Sequence, residues 1–205
     1  MFCPKCGNPV DPTMAFCGQC GNRLNAEPTP APAPTGQPNL VYFSTEDLTL
    51  VNYHLVARDA AGNVRCEART VSESMFTYNA KIFAPNGQEL MAVRQQKKMT
   101  MVAMNFDLCV NGQPVCEVLQ EMKGAGYRYV LPQYGLYADG DFFSLNFQVF
   151  ANNGAPVASV QKKLMSWGDS YEISFADPSL ELTLLGLVMV IQMVLAAQRN
   201  HRRRR

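Results

Sequence analysis

The sequence predicts a mainly β protein in which an antiparallel sheet closes around one apolar helix. Three observations carry this reading. Gly-containing turn signals recur from Asp59 to Gly154. The segments between them are rich in β-branched and aromatic residues, and several alternate apolar with polar positions. An apolar run from Leu180 to Ala197 then leads into an arginine cluster at the end of the chain. A sheet with one wet face needs something to cover the other. A wide barrel leaves an interior that strand side chains alone do not fill. A helix apolar on nearly all sides, threaded through that interior, meets both needs.

Composition agrees. Of 205 residues, 47% are apolar and 17% charged, so a sizeable core is available. The net charge is +1, but four of the last five residues are arginine; without them the chain sums to −3. A basic tail therefore follows a mildly acidic body, which argues against a body-wide nucleic-acid surface.

The N-terminus carries Cys3-Pro-Lys-Cys6-Gly7 and Cys17-Gly-Gln-Cys20-Gly21. Two residues between cysteines let one turn present both thiolates to one ion, and two such knuckles complete a tetrahedral site. Zn²⁺ suits four thiolates; an iron site is the competitor. With Cys3, Cys6, Cys17 and Cys20 all engaged, no position stays open for substrate, so one structural zinc is expected. This stretch resembles the short zinc ribbon found at the N-terminus of many bacterial proteins. A module of residues 1–24 has almost no core and should depend on its metal. It offers only Lys5 and Arg23 against Asp11, too few cations for strong phosphate affinity. A docking module for a protein partner is the better reading; a nucleic-acid-associated ribbon is the weaker alternative.

Residues 25–39 read NAEPTPAPAPTGQPN. Proline fixes φ and removes amide donors, so this is an extended tether reaching roughly 45 Å at about 3.1 Å per residue.

From Leu40 to Asp177 the turn signals are DAAGN (Asp59–Asn63), PNG (Pro85–Gly87), VNG (Val110–Gly112), ADGD (Ala138–Asp141) and NNG (Asn152–Gly154). Asn-Gly and Asp-Gly favour the turns that match strand twist. Their flanks predict strands over Leu50–Arg58, Met75–Phe83, Val115–Met122, Tyr127–Leu131 and Phe142–Phe150. The text of Ala84–Met101 echoes Asn152–Trp167: a Gly turn, a strand, a Lys-Lys pair and a bulky apolar residue. This predicts a duplicated meander inside one closed sheet.

Pro178-Ser179 opens the helix, with Ser179 as the expected cap, Glu181 in the first turn and arginines after the end. Membrane insertion needs about 20 predominantly apolar residues. The run is slightly short and is interrupted by Gln192, so burial in the barrel is expected, and a tail anchor is the alternative.

Cys66, Cys109 and Cys116 are expected to be buried free thiols. A two-residue Asn111-Gly112 turn pairs Cys109 with Pro114 rather than with Cys116. The odd, scattered set fits a reducing compartment, and no signal peptide is visible. His54, in an alternating strand, and His201 are the only histidines, and no nucleophile or phosphate-loop motif is present. An enzyme is not expected.

The segment Ser159–Gln198 resembles the closing part of the LURP-one-related family, whose fold is similar to the tubby C-terminal domain and to phospholipid scramblases. The matching features are Lys162-Lys163, the Ser166-Trp167-Gly168-Asp169 turn, the Tyr171-Glu172-Ile173 strand and the final helix. The resemblance spans about residues 40–200. It implies a barrel of roughly twelve strands around a central helix at about 179–198, with residues 201–205 as a basic tail. Tubby domains bind phosphoinositide headgroups through surface basic residues, which makes Arg94, Lys97, Lys98, Lys162 and Lys163 candidate contacts for an anionic ligand. The reading that results is a non-enzymatic cytoplasmic adaptor: the ribbon meets a protein partner, and the barrel or basic tail meets a second partner or an anionic membrane surface. A tail-anchored or scramblase-like lipid-handling protein is the alternative.

Overall fold

The computed structural model describes residues 39–46, 54–74, 77–96, 103–124, 126–165 and 168–203. Residues 1–35 and 36–205 fall into separate units, and the description concerns the second. The ribbon cysteines, residues 25–38 of the proline-rich tether, Lys97, Lys98 and the Ser166-Trp167 part of the predicted turn lie outside the described residues, while Asn39, expected to end the tether, opens the first strand.

Twelve strands follow one another around a closed barrel. The first six are β1 (Asn39–Glu46), β2 (His54–Arg58), β3 (Val64–Ser74), β4 (Thr77–Phe83), β5 (Glu89–Gln95) and β6 (Phe106–Val110). The second six are β7 (Gln113–Lys123), β8 (Gly126–Leu131), β9 (Leu136–Asp141), β10 (Asn146–Ala151), β11 (Pro156–Met165) and β12 (Gly168–Phe175). Every neighbour is antiparallel, and β1 closes the ring against β12 from Asn39↔Phe175 to Phe43↔Tyr171. The Asn39 side-chain amide ties that seam by donating to the carbonyl oxygens of Phe175 at 3.3 Å and Ala176 at 3.1 Å. Closure removes both sheet edges, the usual liability of a long meander.

The two echoing segments fall on the β4–β5 turn with β5, and on the β10–β11 turn with β11. These strands lie six places apart on the ring, on opposite walls. The echo thus marks matching positions half a barrel apart.

Four of the five turn signals are turns. The Asn111-Gly112 pair has φ of 51° and 78°, as a tight hairpin needs, and places Cys109 opposite Pro114. The exception is ADGD, which belongs to β9. Gly140 is used there for closeness rather than for turning. Its φ is +138°, and an added Cβ would meet the Phe147 Cα at 2.7 Å. The chain reverses over residues 142–145, where Leu145 has φ 52°. The Asp141 carboxylate accepts from the amides of Phe143 at 3.0 Å and Ser144 at 3.3 Å, and from the Ser144 hydroxyl at 2.7 Å. Those side-chain bonds fold Phe142-Phe143-Ser144 into the turn despite their strand-like character. Gly140→Ala should therefore destabilise the barrel by about 2 kcal/mol or more, measured by denaturant unfolding.

The α-helix α1 (Glu181–Arg203) follows a 3-10 turn at Pro178–Leu180. The capping side chain is Asp177, which accepts from the Ser179 amide at 2.9 Å; Ser179 itself lies inside the turn. Starting the 3-10 turn at proline moves the cap one residue before it. The helix also continues into the segment expected to be a free tail. Glu181 meets Arg65 at 2.9 Å, and burial raises the Glu181 pKa against the pull of that cation.

The core is the annulus between strands and helix. Leu185, Leu187, Val188, Met189, Val190 and Ile191 are all fully buried. Gly186 sits 3.0 Å, measured from an added Cβ, from Leu108 and Met91, so its lack of a side chain brings the helix close to β5 and β6. The stretch Pro178–Arg199 is long and apolar enough to cross a bilayer, yet 83% of its most apolar window is buried inside the barrel.

Exposed aspartates hold several turns. Asp59 accepts from the amides of Ala61 and Asn63, each at 2.9 Å, and hydrogen bonds lower the pKa of Asp59, Asp141 and Asp177. A folded-state pKa below the unfolded value gives stability that is present above the unfolded value and lost as pH falls through the folded one. Glu181, shifted upward, acts in the opposite sense. With three lowered aspartates and a lowered Glu67 against it, the urea midpoint should fall below about pH 4.

Candidate functional site

The interior is occupied by the chain's own helix, so candidate sites lie on the outer wall and at the two ends. A shallow groove of about 670 Å³ crosses β5, β6 and β7. Along it, Arg94 stands opposite Asp107, and Asp107 opposite Glu117. The Gln96 amide bridges the two carboxylates, donating to Asp107 at 2.7 Å and Glu117 at 2.9 Å. Gln133 lies over the row, its side-chain oxygen accepting from the Glu117 amide at 2.9 Å. Arg94 thus faces more acid than base, a poor setting for an anionic ligand.

The other described candidates lie elsewhere. Lys162 and Lys163 are on β11, half the ring away from Arg94, so these three described candidates do not gather into one patch. Consecutive numbering in a meander carries strands steadily around the ring, which sets segments about 67 residues apart on opposite walls. Lys163 Nζ lies 3.6 Å from Glu172, whose side chain is 8% exposed. That carboxylate also accepts from the Gln161 amide at 3.0 Å. Burial, followed by the hydrogen bond to Glu172, raises the Tyr42 pKa. Lys163 is therefore part of a structural network across β11, β12 and β1.

His54 sits 3.2 Å from a Glu67 oxygen that also accepts from Arg69 at 2.6 Å. Arg69 and His54 hold the Glu67 carboxyl below its usual range. This wall borders a hollow of about 220 Å³ that includes Phe83 and Pro85. Cys66, Cys109 and Cys116 are free and buried. Burial pushes the Cys66 and Cys116 thiols up to about 12, which makes them poor nucleophiles and poor ligands.

One feature escapes sequence reading. Among the described residues the two most exposed large apolar side chains are Phe143 (72%) and Met122 (65%). Both fall within predicted strands, Val115–Met122 and Phe142–Phe150, where alternation hides an end residue. Met122 is the penultimate residue of β7, and Phe143 is in the β9–β10 turn. The turn lies four residues beyond the predicted one, at 142–145 instead of 138–141, which separates a buried strand aromatic from an exposed tip.

Two likenesses bear on the barrel. A Bacillus subtilis protein named Uncharacterized protein YxjI is 26% identical over 143 residues, covering 70% of this chain and 85% of that protein. A solved structure of an Arabidopsis thaliana protein has the same fold, with a TM-score of 0.50 at 13% identity, covering 76% of this chain and 93% of that one. At the other end, residues 2–24 match the family model of the zinc-ribbon domain, so the chain carries a zinc ribbon ahead of a twelve-stranded barrel.

Proposed function

We propose that this protein is a non-enzymatic adaptor of the LURP-one-related, tubby-like kind, in which a zinc-held ribbon docks a protein partner and the barrel supplies a second contact surface. The observation that carries the reading is the filled interior. Leu184 to Ala196 occupy the interior among the described residues, which leaves the outside of the barrel as the surface for binding. Cys3, Cys6, Cys17 and Cys20 lie within the stretch similar to the zinc-ribbon domain, and four thiolates closing on one ion would give the ribbon a shape and leave no open metal position for chemistry. The cytoplasm, with contact at a membrane surface, is the setting this arrangement fits.

A tail-anchored form is the weaker reading. It would require the helix to leave the barrel and to abandon the core that it makes. Photo-crosslinking in cells tests the adaptor reading. Partners captured by the intact chain should be lost with Cys17→Ser while the barrel stays folded. An identical set of crosslinks from the two proteins would overturn a docking role for the ribbon.

A further inference from the structure

We infer that Asn111 is a site of spontaneous covalent modification: of three Asn-Gly pairs in the chain, it belongs to the one that the folded barrel leaves free to cyclise and deamidate. This goes beyond the adaptor reading and does not rest on it.

The pairs are Asn86-Gly87, Asn111-Gly112 and Asn153-Gly154. All of these residues are exposed, so access to water does not distinguish them. Glycine matters in such a pair because no side chain shields its amide nitrogen. That nitrogen gives up its proton and attacks the asparagine Cγ. The Cγ–Nδ2 bond breaks, ammonia leaves with the proton, and a succinimide ring remains. Water then opens the ring. Addition at Cγ restores the ordinary chain as aspartate; addition at the backbone carbonyl leaves the chain running through Cγ as isoaspartate.

Two of the pairs are locked. They sit in the two echoing segments and share one hydrogen-bond pattern. The Gly87 amide donates to the Ala84 carbonyl at 2.9 Å, and Asn86 Oδ1 accepts from the Gln88 amide at 3.0 Å. In the matching turn the Gly154 amide donates to the Ala151 carbonyl at 2.8 Å, and Asn153 Oδ1 accepts from the Ala155 amide at 3.0 Å. The attacking nitrogen thus has its proton held on a carbonyl, and the carbon it must reach is fixed over the amide two residues on. Ring closure has to break both bonds.

Asn111-Gly112 is built differently. It is the two-residue link between Val110 and Gln113, and those two residues carry the pairing of the hairpin. Among the described residues, neither the Asn111 side chain nor the Gly112 amide has a hydrogen-bond partner. Asn111 can therefore swing onto Gly112 without giving up a bond that either group makes.

The two products differ in what they do to the wall. Aspartate accepts the φ of 51° as asparagine does, so it keeps the hairpin and adds a charge. Isoaspartate lengthens the backbone of a link whose register leaves room for two ordinary residues. It loosens the start of β7, where Pro114 and Val115 line the outer groove. Asn111 is in this sense a slow, one-way switch on that surface.

Timed incubation of the full chain in neutral buffer, followed by tryptic peptide mapping, tests this. The three pairs fall on separate peptides, residues 82–94, 99–123 and 129–162, and each event registers as the mass gain of an amide becoming an acid. In the folded protein the 99–123 peptide should deamidate more than about tenfold faster than the other two. In urea the three rates should come within about threefold of one another, because the hydrogen bonds that separate them are gone. Asn111→Asp should melt like the parent and show no fast mass gain in that peptide. Labelling by an enzyme that methylates isoaspartyl carboxyls should concentrate on the same peptide. Equal rates in the folded protein, an excess that persists in urea, or a fast gain that survives Asn111→Asp would each overturn the proposal. Isoaspartyl labelling spread evenly over the three peptides would overturn it as well.

Discussion

Leu187→Asp abolishes soluble folding if the helix is the core of the barrel. Leu187 is fully buried at the middle of the apolar stretch, between Leu184, Val188 and Ile191. The only buried polar or charged side chains among the described residues are Gln120, Ser170, Glu172, Thr183 and Gln192, so none is a cation to pair with a new carboxylate. An isolated buried charge costs more than about 4 kcal/mol even after protonation relieves part of it. That approaches the whole stability of an ordinary domain, about 5–15 kcal/mol. Leu187→Ala is the control: it should cost about 3 kcal/mol and leave a folded protein. The soluble fraction on expression and the far-ultraviolet spectrum read both. A membrane anchor predicts the reverse, since a charge in mid-span would push the chain toward the soluble fraction. Normal soluble folding of Leu187→Asp would contradict burial.

Cys17→Ser has the second largest expected effect, and a local one. The zinc-ribbon match covers residues 2–24, and Cys17 opens its second knuckle. Three thiolates and a hydroxyl no longer satisfy a closed tetrahedral site, and a module this small takes its folding energy from the metal. Metal analysis should fall from about one zinc per chain to near zero. The barrel should melt at the same temperature, because the ribbon lies in a separate unit of the chain. A change of more than a few degrees in barrel melting would refute independence of the two parts.

The sequence reading succeeded where chemistry is local. Asn111-Gly112 adopts the positive φ values that the pair favours, and with them comes the offset of Cys109 from Cys116. Pro178 marks the entry to the helix, although the cap is Asp177. It failed where two local rules compete. Asp139-Gly140-Asp141 has the composition of a hairpin turn, but Gly140 is taken by the close approach of Phe147. The reversal then moves to the residues that Asp141 can bind through its side chain. Only the partner strand settles that contest, and composition contains no partner strand.

The candidate basic site failed for a different reason. Arg94 and Lys162-Lys163 look related because their segments echo each other, and the echo is real. In a ring of twelve strands, a repeat spaced by six strands puts its copies on opposite walls. Similarity in text therefore means separation in space. The neighbours that decide each cation's state, Asp107 and Glu117 near Arg94 and Glu172 beside Lys163, come from other strands.

Sequence by itself determined the elements and the metal module. Turn residues, alternation and cysteine spacing act over a few positions, and an apolar helix must be buried somewhere. The tertiary structure decided which residues meet. Ring closure at β1 and β12, the burial of the helix along the barrel, and the placement of Met122 and Phe143 on neighbouring hairpins depend on strand order and on the pleat. Those contacts join residues far apart in the chain, and their energies exist only once the barrel has closed.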